Sequence, residues 1–119
     1  MSWRPDKGRA ICPQICEHIC EQIARGELSA NERLPSVRDY AVQIGVNPNT
    51  VQRAFEQLGQ DGVLYAVQNV GWFIGEDDTA ARQTVQHRIE EKTAAYFEEM
   101  RNLGLDADAI KAIVKEWNV

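Results

Sequence analysis

No stretch of this 119-residue chain comes near the roughly 20 consecutive apolar residues that a membrane helix needs. Its opening, Met1-Ser2-Trp3-Arg4-Pro5-Asp6, lacks the apolar run of a secretory leader, so a cytoplasmic location is expected. Cysteine is sparse: Cys12, Cys16 and Cys20 are an odd number in one short segment, which excludes a disulfide scaffold. Histidine is sparser. His18 and His87 are far apart in sequence and are expected in solvent, and no Ser/His/Asp or Cys/His arrangement is evident. The adjacent pairs Glu90-Glu91 and Glu98-Glu99 would diverge by about 100° on a helix, so they read as a wet face and not as acid/base partners. With little room for a deep cleft at this length, an enzyme is not expected. No cofactor or metal is expected either. Positive charge is also scarce: 13 Lys and Arg stand against 18 Asp and Glu, a net charge of -5. Taken as a total, that argues against a nucleic-acid partner.

The distribution of charge reverses that argument. Residues 1–75 hold 7 basic and 8 acidic residues, whereas residues 76–119 hold 6 and 10, so most of the acidity sits in the tail. Between residues 33 and 55, Arg33, Arg38 and Arg53 face Asp39 and no other acid. A local positive patch there is enough to meet phosphate, with an affinity that depends on salt.

The same segment has the layout of two short helices joined by a tight turn. Ile15, Ile19 and Ile23 recur every four residues and Gly26 follows, which predicts a first helix over residues 13–25 with Pro13 in its first turn. After a loop over residues 27–34, Ser36 is a good N-cap, and Asp39 sits where the positive helix end favours a carboxylate. Val37, Tyr40, Ala41 and Ile44 give this second helix one apolar face. Gly45 ends it, and Asn47-Pro48 restarts the chain as N-cap and first helical residue. The third helix, about residues 48–60, has the core stripe Val51, Ala54, Phe55 and Leu58. That leaves Asn49, Thr50, Gln52, Arg53 and Glu56 on the other side.

Beyond the break at Asp61-Gly62, residues 63–67 and 72–74 read as two strands around the turn Gln68-Asn69-Val70-Gly71, with Asn69 and Gly71 able to take positive φ. Three helices and a hairpin make a winged helix-turn-helix, expected over residues 10–75. Residues 76–119 then form a helical region: Glu76-Asp77-Asp78-Thr79 is both linker and cap, and a long helix follows. Val85, Ile89, Tyr96, Met100 and Leu103 form its stripe. Gly104 stops that helix, Asp106 or Asp108 caps a last one, and Ile110, Ile113, Val114 and Trp117 form its apolar face. A two-helix hairpin of this kind needs a partner, and a second copy across a two-fold axis supplies one. The fold class expected is therefore mainly α with a small β-hairpin, a winged helix-turn-helix followed by a two-helix dimerisation hairpin.

The run Gln14-Ile15, Ile19, Ile23, Gly26, Leu28, Leu34-Pro35-Ser36-x-Arg38, Ala41, Val46-Asn47-x-x-Thr50-Val51, Ala54, Leu58, Gly62 and Gly71-x-Phe73 resembles the GntR family of bacterial transcription regulators. The short tail resembles the YtrA-like subgroup, whose members pair through two C-terminal helices and often repress neighbouring transport operons. The resemblance implies a DNA contact at Arg38, base reading from the first turn of the third helix, and wing-tip contacts at Gln68, Asn69, Val70 and Gly71. This chain departs from the family at Pro48, where an arginine is frequent, at Asn69, where glycine is usual, at Trp72, where a small hydroxyl residue is usual, and at Cys12, where tyrosine is frequent.

The expected reading is a homodimeric repressor on a roughly palindromic double-stranded operator, with any small-molecule effector unknown. Ser36, Arg38, Asn47, Asn49, Thr50, Gln52, Arg53, Gln68, Asn69 and Gly71 would meet DNA, through side-chain types suited to phosphates and base edges. Val85, Ile89, Tyr96, Met100, Leu103, Ile110, Ile113 and Trp117 would form the dimer interface. Two alternatives stay open: a thiol- or metal-responsive DNA-binding sensor using Cys16 and Cys20, and a winged helix serving purely as a protein-interaction module. Cys12, Cys16 and Cys20, interleaved with Ile11, Ile15 and Ile19, read first as core packing.

Overall fold

The computed structural model describes residues 3–119. The chain divides into two compact units, the first running to Val85 and the second Gln86–Val119. In order, the elements are α1 (Ile11–Ala24), α2 (Val37–Ile44), α3 (Pro48–Gln60), β1 (Leu64–Val67), β2 (Gly71–Ile74), α4 (Thr79–Asn102) and α5 (Ala107–Glu116). Among the described residues no helix is long and apolar enough to cross a membrane.

Local chemistry sets the helix ends. Ser36 Oγ accepts from the Asp39 amide at 3.0 Å, and Asn47 Oδ1 accepts from the Asn49 amide at 2.8 Å, with Pro48 beside it needing no partner for its nitrogen. Gly45 closes α2 at φ +72°, a left-handed conformation that a side chain resists. At the end of α1, the Glu27 amide reaches back to the Gln22 carbonyl at 2.8 Å and the Gly26 amide to Ile23 at 3.0 Å, the two bonds of a Schellman cap.

The three helices close on one core. Ile15, Ile19 and Ile23 of α1, Tyr40, Ala41 and Ile44 of α2, and Val51, Ala54, Phe55 and Leu58 of α3 are all buried, and Leu34, Val63, Leu64 and Ile74 join them. The Phe55 ring is wholly enclosed. Tyr40 meets it edge-on at 5.2 Å and Trp72 at 6.0 Å, the favoured geometry for aromatic pairs. Trp72 also covers Gly59, where a Cβ would lie 3.0 Å from the ring atom Cζ3. A glycine inside α3 is thus explained by the indole lying on it.

β1 and β2 pair antiparallel with Leu64 opposite Ile74 and Val67 opposite Gly71. Asn69 at φ +65° and Gly71 at φ +147° turn the chain between them, as the sequence suggested. The segment before Pro35 is loop, as expected, but it is hydrogen-bonded to β2. Ile74 donates to the Glu32 carbonyl and Leu34 to the Trp72 carbonyl, both at 2.9 Å, and Arg33 bridges Phe73. An isolated β-bridge at Arg33, flanked by these hydrogen bonds, therefore ties β2 to the segment leading into α2. A single bridge next to a proline leaves no alternation to be read from sequence.

His18 is also not where it was expected. Its ring stacks on Trp3 at 4.0 Å with an interplanar angle of 6°. The arm carrying Trp3 is fastened to α1 by the buried Gln14, whose carboxamide accepts from the Asp6 amide and donates to the Asp6 carbonyl, both at 2.8 Å. Burial, and to a smaller extent the charge of Arg25, lowers the His18 pKa below its ordinary value.

Residues 76–85 belong with the first unit. Ala81 is buried in its core, Ala80 and Val85 pack against that core, and Asp77 Oδ1 accepts from the Thr79 amide at 2.8 Å where α4 begins. The compact unit thus ends ten residues beyond position 75, because α4 opens as part of the head. In the second unit Gly104 turns the chain at φ +103°, and Asp106 caps α5 by accepting from the Ala109 amide at 2.8 Å. Ile110 is fully buried there.

Two expected outcomes follow from this packing. Alanine ordinarily stabilises a helix relative to glycine by about 1 kcal/mol, yet Gly59→Ala should destabilise by about that amount in chemical denaturation. In a Trp72→Val background the same change should stabilise, and stabilisation in both backgrounds would mean that the indole does not oppose a Cβ there. The second concerns pH. Because folding holds His18 neutral, the unfolded chain takes up its proton first, so this contribution is full above about pH 6.5 and is lost as pH falls through the folded pKa. The melting temperature of His18→Phe should gain on that of the native chain between about pH 7.5 and 5, whereas a pH-independent gap would contradict the account.

Candidate nucleic-acid interface

α3 separates two chemistries around its axis. Val51, Ala54, Phe55 and Leu58 are buried, whereas Asn49, Arg53 and Glu56 are exposed and Thr50 and Gln52 are half-buried. Two of the polar side chains already have work within the chain. Asn47 spends its carboxamide oxygen on the helix cap, which leaves its amino group free to point outward, and Gln52 Nε2 donates to Glu56 Oε2 at 3.1 Å. Asn49 and Arg53 are the exposed polar groups of the first turns that carry no such commitment.

The arginines of the first unit sort into two groups. Arg9 pairs with Asp6 at 3.2 Å, Arg25 with Glu27 at 2.6 Å and Arg82 with Asp78 at 2.6 Å. Arg4, Arg33, Arg38 and Arg53 have no carboxylate within ion-pair distance among the described residues. Arg38 and Arg53 sit on the two helices, and the side chains of Arg4 and Arg33 reach the turn between them and the wing tip. Arg38 lies in the first turn of α2, beside the Ser36 cap, where unpaired amides also favour an anion. Arg53 lies on the exposed side of α3. Arg4, carried by the amino-terminal arm, brings Nη1 against Gly45 in the turn between α2 and α3, where a Cβ would come within 2.5 Å of it. Arg33 reaches the wing tip and donates from Nη2 to the Val70 carbonyl.

Of the residues singled out from sequence, Ser36, Arg38, Asn47, Asn49 and Arg53 are exposed on the two helices and Gln68 and Asn69 on the wing, with Gly71 half-covered beneath Arg33. Neither Arg4 nor the wing-tip position of Arg33 was assigned. Arg33 stands 37 residues from Val70 and meets it only because an isolated bridge to Phe73 holds its segment against β2. Arg4 carried no periodic or capping signal. The neighbouring Trp72 faces Phe55 and Gly59, so this departure from the family pattern serves packing.

Along α1, Cys12 and Cys16 are half-buried and Cys20 is buried. Cys16 donates from Sγ to the Ala54 carbonyl at 3.6 Å. Burial, with Cys12 adding to it, pushes the Cys16 thiol up to about 12, and burial raises that of Cys20. Thiols held protonated in this way are poor metal ligands and slow nucleophiles. Among the described residues no group of three or more His, Cys, Asp and Glu side chains is placed to hold a metal ion.

In the second unit Ile89 is 51% exposed, Tyr96 37%, Leu103 77% and Trp117 69%, while Met100 and Ile113 are half-buried. Two residues assigned to the pairing face do not present themselves outward: Ile110 is enclosed within its own chain, and Val85 leans on the first unit. Periodicity alone does not separate the side of α5 that meets its own hairpin from the side left bare. Val114, 54% exposed, joins Tyr96, Ile113, Trp117 and Val119 around an open apolar groove of about 360 Å³.

Residues 13–74 match the family described as bacterial regulatory proteins, gntR family. The chain is 31% identical over 103 residues to the HTH-type transcriptional repressor YtrA of Bacillus subtilis (strain 168), covering 87% of this chain and 75% of that protein. Its fold superposes on a GntR family transcriptional regulator from Listeria monocytogenes with a TM-score of 0.82 at 32% identity, over 96% of this chain and all of the other. The AraR DNA-binding domain in complex with operator ORX1 matches 54% of this chain and 77% of its own, with a TM-score of 0.52 at 30% identity. From the cap at Asn47 to the wing at Gly71, the winged helix built here is the one these regulators share, and the chain belongs to the GntR family of bacterial transcriptional regulators.

Proposed function

We propose that this chain is a cytoplasmic transcriptional repressor that binds a roughly palindromic operator as a homodimer. The observation that carries the reading is the sorting of the arginines. Within the first unit of a chain of net charge -5, the arginines left without a carboxylate are Arg38 and Arg53 on the helix-turn-helix, Arg33 against the wing and Arg4 at the turn between α2 and α3. An unneutralised guanidinium is poised for phosphate or for the edge of guanine. Asn49 and Arg53 read bases from α3 in the major groove, with Thr50 and Gln52 behind them. Arg38, Ser36 and the amino end of α2 grip phosphate, and the wing turn of Gln68, Asn69 and Gly71 meets the minor groove or the backbone. Repression follows from occlusion of the promoter, as the name of its repressor relative supports, and a neighbouring transport operon is the expected target.

The second unit supplies the pairing. A 34-residue segment with Ile110 as its fully buried side chain is too small to hold a hairpin by itself. Burying Ile89, Tyr96, Leu103, Val114 and Trp117 against a second copy covers the apolar surface and joins two reading heads, which raises operator affinity through effective concentration.

Double-stranded DNA selected with the native protein gives the first measurement. Against it, Arg38→Ala should weaken binding about 10-fold or more, evenly across sequence variants, while Arg53→Ala should also relax preference at one base pair per half-site. Both should remain dimers, and undiminished retention by both variants would sink the DNA reading. Tyr96→Asp combined with Trp117→Asp should give a monomer by sedimentation, with binding weaker by about 100-fold or more. A stable dimer in that variant would show that pairing runs through other residues.

A further inference from the structure

The wing has no charge of its own. From Leu64 to Ile74 the hairpin contains no Lys, Arg, Asp, Glu or His, and its tip is Gln68-Asn69-Val70. A phosphate-rich groove would meet only amides and carbonyls there. Arg33 changes this. It forms an isolated β-bridge with Phe73 of β2, and its side chain runs along the hairpin to donate from Nη2 to the Val70 carbonyl. Gly71, at φ +147°, opens the space in which the guanidinium lies: a Cβ there would be 3.4 Å from Nε and 3.5 Å from Nη2. The charge is exposed and unneutralised, and with one N–H given to Val70 the remaining donors of the fork are free.

We infer that Arg33 is the positioning residue of the wing, fixing the tip through the Val70 carbonyl and lending it the positive charge that the hairpin lacks, toward a backbone phosphate beside the wing. This rests on the DNA-binding reading above. It also makes one part of the wing and the α2 grip, since Leu34, bonded to the Trp72 carbonyl at 2.9 Å, leads directly into Pro35 and the Ser36 cap. A neutral donor would serve a tie that was only structural; the phosphate contact needs the charge.

Arg33→Met and Arg33→Lys separate these roles on the DNA selected with the native protein. Each variant's melting temperature is recorded, and amide exchange is followed at Val70, whose N–H is bonded to the Val67 carbonyl at 3.0 Å. Arg33→Met should lose about 10-fold in affinity near 0.1 M salt, flatten the slope of log affinity against log salt by about 0.9, and exchange faster at Val70. Arg33→Lys should keep the native slope while still exchanging faster, because the charge stays and the fork is gone. Faster exchange with an unchanged salt slope in Arg33→Met reduces the residue to a structural tie and overturns the inference, as does unchanged binding. If the Met variant does not fold, Arg33→Lys decides: native exchange at Val70 overturns the inference, and faster exchange at native slope upholds it. A native protein that retains no DNA removes the whole interface reading and this inference with it, an outcome distinct from native binding that Arg33→Met leaves intact.

Discussion

The ring of Phe55 stands where three parts of the first unit meet, and the reading surface depends on its staying there. α3 must bury one side firmly enough to leave the other bare, and Phe55 is the largest of its buried side chains. Tyr40 reaches it from α2 and Trp72 from β2, so the helix preceding the turn and the wing following it are referred to one ring. A shift of that ring would move Arg38, Arg53 and the wing together. Aromatic contacts at these distances add about 0.5–1.5 kcal/mol each beyond the burial of area, which suits them to fixing geometry as well as contributing stability. The indole at position 72 strengthens this arrangement, and Gly59 gives it room.

Charge in this protein is better understood by pairing than by total. A net charge of -5 would repel a polyanion at long range, but screening confines that effect to about 10 Å at 0.1 M salt. Within that distance the individual partners decide. Arg9, Arg25 and Arg82 are answered by nearby carboxylates, whereas Arg38 and Arg53 stand without any on the two helices of the turn. Exposed ion pairs contribute little to stability. Leaving a few arginines unanswered therefore costs the fold little while reserving their charge for a ligand.

Much of this was legible in the chain itself. Caps and glycines fix helix ends by local chemistry, so Ser36, Gly45 and Asn47-Pro48 marked α2 and α3 closely, and the alternation around Asn69 and Gly71 marked the wing. What escaped depends on contacts distant in sequence. The β-bridge before Pro35 exists because β2 offers that segment hydrogen bonds, Arg33 reaches Val70 across 37 positions, and Trp3 finds His18 only after Gln14 has fastened the arm. The compact first unit runs past the apparent linker for a related reason. Glu76-Asp77-Asp78 has the composition of a linker, but the small side chain of Ala81 lets the first turns of α4 settle into the core. Composition signals where a chain is polar, and packing decides which unit a helix end joins.

The tail also bears on how a reader with so few free cations can hold its site. A head that neutralises only a handful of phosphates gains limited affinity at physiological salt and loses more as salt rises. Adding basic residues would raise that affinity, but equally for every DNA sequence. Joining two heads raises affinity for sites that carry both half-sites at the right spacing and leaves single-site binding weak. In the proposed homodimer, the bare apolar surface around Tyr96, Val114 and Trp117 is matched to the sparse charge of the head: the charge limits binding to any single half-site, and pairing through that surface would restore it where two half-sites occur together.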